Sequence, residues 1–227
     1  MKNLKLAAVC LSCLTMTGCS ALNFSVEGLI NAPKLTSEQS EIHQALIESV
    51  GSNITLKYPK NGEYRSAYVI ANIDDEPTDE AMVFYEYTSN GSEEDGLRVN
   101  ILDKDEDGKW YSVKELAGAG TDIDQVIISP MGSNNQTDVF VGYQNLTNDE
   151  KTMEIYSYTD GDFKRVALDT YSVLEPLDIN NDGYIELITI QRSTNNDTGA
   201  VTAKASMLNM KNNEITRGEN VDMCDNV

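Results

Sequence analysis

The sequence is short of histidine, cysteine and positive charge, and each shortage removes a class of function. It has a single histidine, His43, which excludes zinc sites and catalytic devices built on paired imidazoles. Of its four cysteines, Cys10 and Cys13 lie in the apolar N-terminal run, leaving Cys19 and Cys224. Two cysteines make no disulfide framework, and none at all if Cys19 is modified. Lysine and arginine number 17 against 37 aspartates and glutamates, for a formal net charge of -20. Nucleic-acid binding needs a basic face, and electrostatic attachment to a membrane surface needs a polybasic segment. Neither is available. What the chain does hold is 40% hydrophobic residues, enough for one domain with a core and too many for a disordered acidic tail. Its surplus carboxylate favours solubility and cation binding.

The N-terminus has Lys2 and Lys5, an apolar run over residues 6–16, and then Thr17-Gly18-Cys19. The run is too short to span a bilayer and has the form of an export signal. A small residue before a cysteine at the end of such a run resembles the lipobox of bacterial exported lipoproteins, with Met16 where leucine is usual. That resemblance implies a signal peptide over 1–18, lipidation of Cys19, and location on the extracytoplasmic face of the cell membrane. Residues 19–35 then form a tether containing Gly28 and Pro33.

Residues 36–51 predict one short helix. Thr36 and Gln39 have capping-box spacing, Ile42, Ala45 and Leu46 form one apolar stripe, and Gly51 is a stop. His43 on this helix, with no second histidine or paired cysteine, reads as a half-buried helical residue. From residue 52 onward the pattern changes to short apolar or aromatic strands, separated by turn signals such as Asp107-Gly108, Asp160-Gly161 and Asp182-Gly183. The expected fold class is all-β: sandwich, barrel or propeller.

A repeat narrows that choice. Residues 178–186 read Asp-Ile-Asn-Asn-Asp-Gly-Tyr-Ile-Glu, directly before an apolar run. Residues 72–80 are a weaker copy, with Asn72, Asp74, Glu76 and Glu80. Residues 130–138 are weaker still, keeping only Asp138. The aligned acids Glu80, Asp138 and Glu186 stand 58 and 48 residues apart, each interval holding about four strands. That is the size of one propeller blade. The copies resemble the FG-GAP or VCBS-type repeat of secreted and surface proteins and of the integrin-α propeller, on the pattern Asp-x-Asp-x-Asp-Gly-x-x-Glu/Asp between two strands. Together with the lipobox and the short helix, the resemblance covers Cys19 to about Leu208. It implies a partial β-propeller of about three four-stranded blades over residues 52–227. Closed propellers have roughly four to eight blades, so the expectation is a shortened member of a longer lipoprotein group, the alternative being that another chain supplies the remaining blades.

The loop at 178–186 carries candidate calcium chemistry. Calcium takes six to eight hard oxygens. Asp178, Asn180 and Asp182 alternate so that a curling loop can aim all three inward, Gly183 permits the turn, Glu186 returns from the next strand, and the Tyr184 carbonyl is the expected backbone ligand. An EF-hand is excluded because its twelfth position, Thr189, is not a glutamate and the flanks are strands. Asn72, Asp74, Glu76 and Glu80 form a second, weaker candidate, in which Pro77 replaces the glycine. A bland polar turn is the alternative at both. The stretch 103–108, Asp-Lys-Asp-Glu-Asp-Gly, imitates the spacing but reads as a hairpin turn. No histidine or lysine is placed to activate a nucleophile, so the chain reads as a non-enzyme. The functional expectation is a lipid-anchored extracytoplasmic binding or scaffold protein with calcium-stabilised blades, meeting a surface protein or glycan. The alternatives are a ligand-free structural remnant and, third, a calcium-dependent surface hydrolase.

Overall fold

Antiparallel strands dominate the chain, and those buried on both faces lie in the middle of stacked sheets. The computed structural model describes residues 35–88, 96–131, 136–145, 150–195, 197–211 and 214–223. The chain divides into two units, of which the second, Ser37–Val227, is compact. The signal segment, Cys19 and nearly all of the tether lie outside the described residues, as do Cys224 and the turns around residues 90 and 134.

The second unit opens with α1 (Ser37–Val50), ended by Gly51, whose φ of 87° only glycine adopts freely. Three sheets follow. Sheet 1 comprises β1 (Ile54–Leu56), β2 (Tyr68–Ala71), β3 (Glu80–Tyr87), β4 (Leu97–Lys104) and β5 (Trp110–Ala117). Its order is β1-β3-β4-β5, with the short β2 sharing the β1 edge of β3. Sheet 2 is the meander β6 (Asp122–Ser129), β7 (Asp138–Gln144), β8 (Lys151–Thr159) and β9 (Asp162–Tyr171). Sheet 3 comprises β10 (Val173–Leu177), β11 (Glu186–Thr194), β12 (Val201–Lys211), β13 (Glu214–Arg217) and β14 (Val221–Met223). There β13 and β14 share one edge of β12. The strands β1, β13 and β14 are too short, or too polar, to stand out in the sequence pattern. The fold is all-β apart from α1, and none of the three sheets closes on itself.

The layers follow from which faces are apolar. Ile42, Ala45 and Leu46 of α1 pack on Ala81, Val83, Tyr85, Leu102 and Trp110 of sheet 1. The opposite face of sheet 1, with Met82, Phe84, Val99 and Ile101, packs on Val139, Val141, Tyr143 and Phe163 of sheet 2. The other face of sheet 2, with Phe140, Met153 and Ile155, packs on Leu174, Leu187 and Leu208 of sheet 3. Accordingly β3 and β7 are buried on both sides. Only every second residue of β11 is buried at its start, Leu187 and Thr189, although it carries the same kind of apolar run. Its neighbours in sequence, Ile188 and Ile190, belong to the outer face of sheet 3.

Polar contacts lock the stack. Arg217 on β13 donates to Thr189 and Ser206 in sheet 3 and to Asp169 on β9 of sheet 2. Lys60, from the β1–β2 connection, pairs with Asp122 at 2.8 Å, and Lys114 pairs with Asp162 at 2.6 Å, both joining sheet 1 to sheet 2. His43 contacts the Tyr68 hydroxyl at 2.8 Å and is half-buried, a contact between helix and sheet.

Gly142 in the middle of β7 marks the closest approach. A Cβ there would fall 2.0 Å from the Tyr171 hydroxyl and 3.2 Å from the Phe140 ring. Gly142→Ala is expected to destabilise the unit by about 3 kcal/mol, at the upper end of overpacking costs. Urea denaturation measures this. A loss below about 0.5 kcal/mol, the range of inert surface changes, would show that the Tyr171 contact is not tight.

Candidate functional site

The first and second strands of the repeated pairs are joined by loops of one length. Ala71 pairs with Glu80, Ser129 with Asp138, and Leu177 with Glu186. The connections 72–79, 130–137 and 178–185 are therefore equivalent. The three acids aligned in the sequence do the same thing in each. Glu80 accepts the Ile73 amide at 2.8 Å, Asp138 the Met131 amide at 3.0 Å, and Glu186 the Ile179 amide at 2.9 Å. A carboxylate opening one strand thus fastens the residue just past the end of the preceding strand, by a charge-assisted bond stronger than a neutral one.

The bond has a packing consequence. Ile73 and Met131 are turned inward, 1% and 5% exposed, and join the cores between sheets 1 and 2 and between sheets 2 and 3. The equivalent Ile179 is 53% exposed, on the side of sheet 3 that no described element covers.

The surroundings of the acids differ. Asp138 is fully buried and satisfied, taking the Ser157 hydroxyl as well as the Met131 amide. Glu80 is equally buried, but its second oxygen, Oε1, has no hydrogen-bond partner. Burial pushes its carboxyl up to about 7, and the carboxylates of Asp74 and Asp103 add to the rise against the Ile73 amide, which lowers it. Asp74 is pushed up for the same first reason, burial, and by Asp103 and Asp75. Asp103 comes from β4, in the acidic stretch that reads as a hairpin turn. That turn is observed: Asp105 caps the amides of Asp107 and Lys109 at 3.0 and 2.8 Å. The approach of Asp103 to the first loop had no signal in the sequence, because the pairing of β3 with β4 creates it.

In the third loop the predicted residues Asp178, Asn180, Asp182 and Glu186 are brought together, with Tyr184 between them in the chain. Asp178 accepts the amides of Asp182 and Gly183, Asp182 accepts the Tyr184 amide at 2.9 Å, and Asn180 accepts the Asp182 amide at 2.9 Å. Asn181 and Gly183 supply the left-handed backbone this curl requires, with φ of 59° and 90°. The Asn180 amide nitrogen lies 3.0 Å from Asp182 Oδ2 and 3.2 Å from Glu186 Oε1, a neutral donor between two carboxylates. The donor set suits calcium in kind, being hard oxygens. The arrangement is that of a turn bonded to itself, and among the described residues no group of three or more His, Cys, Asp or Glu side chains converges as a metal site. In the first loop Asn72 likewise donates, to the Glu76 and Thr78 carbonyls, while Asp74 caps the Glu76 amide at 2.7 Å. There the unpartnered oxygen of Glu80 is what a cation or a proton would satisfy.

A second locus escaped the sequence reading. A groove of about 530 Å³ runs between β6, β10 and residues 61–64. Asp124, 2% exposed, is held in it by three groups. Asn61 Nδ2 and Lys151 Nζ both reach Oδ1 at 2.8 Å, and the Tyr171 hydroxyl reaches Oδ2 at 2.7 Å. Burial, and then the Asp124 charge, push the Tyr171 hydroxyl well up, so it stays a donor. These residues come from four segments with no shared motif. The only local hint was a polar pair, Asp124-Gln125, at the head of an apolar strand.

No protein-family model, curated protein or solved structure matches this chain.

The Glu80 carboxyl makes stability depend on pH with a definite sign. Its pKa is raised on folding, so its contribution is complete below about 4.5 and is lost as pH rises through about 7. Measured in chelator, the unfolding free energy should fall over this window by on the order of 1–3 kcal/mol. Glu80→Gln should remove most of that fall. An unchanged slope in the variant would mean that Glu80 does not carry the effect.

Proposed function

We propose that this chain is a lipid-anchored binding or scaffold module on the extracytoplasmic face of a cell membrane, without catalytic activity of its own. In this reading its three sheets are consecutive blades of a propeller-type array. The observation that carries it is the repeated carboxylate-to-amide bond at Glu80, Asp138 and Glu186, set in loops of equal length that each join the first and second strands of a repeated pair. Three copies of one strand–loop–strand device support descent of the sheets from one repeating unit, and successive face-to-face stacking is the way such units bury their apolar sides. The open face of sheet 3 supports it too, since Ile179 and Ile188 stand where Ile73 and Met82, and Met131 and Phe140, are covered by the next sheet.

Calcium enters this reading as a stiffener. Asp178, Asn180, Asp182 and Glu186, with the Tyr184 carbonyl, would hold it at the third loop. Asn72, Asp74, Glu76 and Glu80 would hold a second, weaker ion. A bound divalent ion supplies positive charge where the loop now uses its own amides. Asp138, satisfied by Met131 and Ser157, would take none. The anchor rests on the sequence before Cys19. An acidic surface, net -20, supports a module that meets neutral or cationic partners rather than nucleic acid.

Two measurements test the reading. In a bacterial host, Cys19→Ala should move the chain out of the membrane fraction, and a variant that stays there after high-salt washing would refute lipid anchoring. For calcium, saturation a hundredfold above Kd adds about 2.7 kcal/mol of stability. Tm should therefore rise by roughly 5–10 °C for a unit of this size, and Asp182→Ala should abolish the rise. A wild-type protein with the same Tm in calcium and in chelator has no stabilising site.

A further inference from the structure

We infer that the groove between β6, β10 and residues 61–64 is a saccharide-binding site, in which Gln125 reads adjacent hydroxyl groups. The inference rests on the binding-module reading and gives it a ligand class.

The groove's volume lies in the range of small-molecule sites, and a β-bulge builds its floor. Ile123 pairs with Tyr143 and Gln125 pairs with Gly142, so Asp124 is the extra residue in β6. In a regular strand, neighbours point to opposite faces. Here Asp124 and Gln125 both line one groove and both are buried, which is how bulges re-aim side chains. Their states are opposite. Asp124 is saturated by Asn61, Lys151 and Tyr171 and acts as a positioning residue. Gln125 is only 9% exposed, and its carboxamide has no hydrogen-bond partner among the described residues. Its amide atoms are not among the sealed, unpartnered polar atoms, so they open to the groove, where a ligand can take the place of water. Gly62, at a φ of 79°, brings the chain so close over it that a Cβ there would lie 3.5 Å from Gln125 Oε1. The amide is held in place facing the groove, with no protein partner among the described residues.

Its needs define the ligand. A carboxamide carries an acceptor oxygen and a donor nitrogen side by side. A metal ion or an ammonium group would satisfy the oxygen and leave the nitrogen unpaired. Phosphate or carboxylate would meet Glu63 and Glu175, which line the same groove, are exposed, and have no ion-pair partner among the described residues, whereas Lys151, the cation in the lining, is already paired with Asp124 at 2.8 Å. Hydroxyls both donate and accept, so two neighbouring hydroxyls on a sugar ring can pair both amide atoms while others donate to the glutamates. Tyr64, half-buried in the same wall, offers a ring for the C–H face of a sugar. An extended peptide could also pair an amide, but it would need a free strand edge. The start of β6 is already used: Lys60 N donates to the Ile123 carbonyl at 3.1 Å and Asn61 N to the Asp124 carbonyl at 2.7 Å.

The test uses the full chain, isotope-labelled, in mild detergent. Glucose, galactose, mannose and N-acetylglucosamine, free and as linear trimers, are titrated at millimolar concentration, with calcium and with chelator. The expected result is that at least one sugar shifts the Gln125 side-chain amide and Tyr64 signals. Gln125→Met should weaken that sugar by at least about tenfold, since a polar site loses both of its pairings, while Tm stays level or rises. Silence across the sugars overturns the assignment. So does a variant that binds as well as wild type, or one whose Tm falls together with binding, which would make Gln125 structural. A set of unstructured decapeptides that moves the same signals when the sugars do not would replace the saccharide with a peptide. Because the calcium and anchoring measurements read other residues, a saccharide failure beside an intact calcium shift refutes this site alone.

Discussion

The strands β3 and β7 carry apolar side chains on both faces, so their sheets have to be covered twice, and the order of layers follows from that requirement. Sheet 1 meets it with α1 on one side and sheet 2 on the other, and sheet 2 meets it with its two neighbours. In sheet 3 one face is covered by described residues. The apolar surface removed from water in these interfaces is the main favourable term, and ion pairs such as Arg217–Asp169 and Lys114–Asp162 set how the layers register.

Within that stack the acids serve two kinds of end. Glu80, Asp138 and Glu186 each fasten an amide seven residues upstream, and in sheets 1 and 2 the residue so fastened fills the core between sheets. Whether the same carboxylate can also meet a cation depends on what else reaches it. At Asp138 the Ser157 hydroxyl is a second donor. At Glu80 one oxygen is left over, beside Asp74 and Asp103, and its affinity for protons rises. At Glu186 the loop's own Asn180 amide stands in.

The groove beside β6 comes from a different device. One extra residue in a strand turns two consecutive polar side chains to the same side, and a glycine opposite, Gly142, lets Tyr171 come close enough to bond the first of them. The outcome is an Asp124 held by three protein donors next to a Gln125 whose amide opens to the groove. That asymmetry separates a group that holds a site from a group that can bind at one.

The helix over Ser37–Val50, most of the strands and the equivalence of the three loops could be read from the sequence, since each rests on patterns within a few residues: a capping box, an apolar run, a turn glycine, an acid at fixed spacing. The grouping of Asp178, Asn180, Asp182 and Glu186 was legible for the same reason, being local to one loop. The edge strands β1, β13 and β14 were not, because tertiary pairing holds them and their own composition does not. By itself the sequence determined where most of the strands lie and which acids open the repeated ones. Only the tertiary structure decided that Asp103 loads the first loop with charge, that Ile179 is left exposed where Ile73 and Met131 are covered, and that Asn61, Asp124, Lys151 and Tyr171 meet beside an unpaired Gln125. These depend on contacts between residues far apart in the chain, and such contacts follow from sheet register and stacking, which no local pattern encodes.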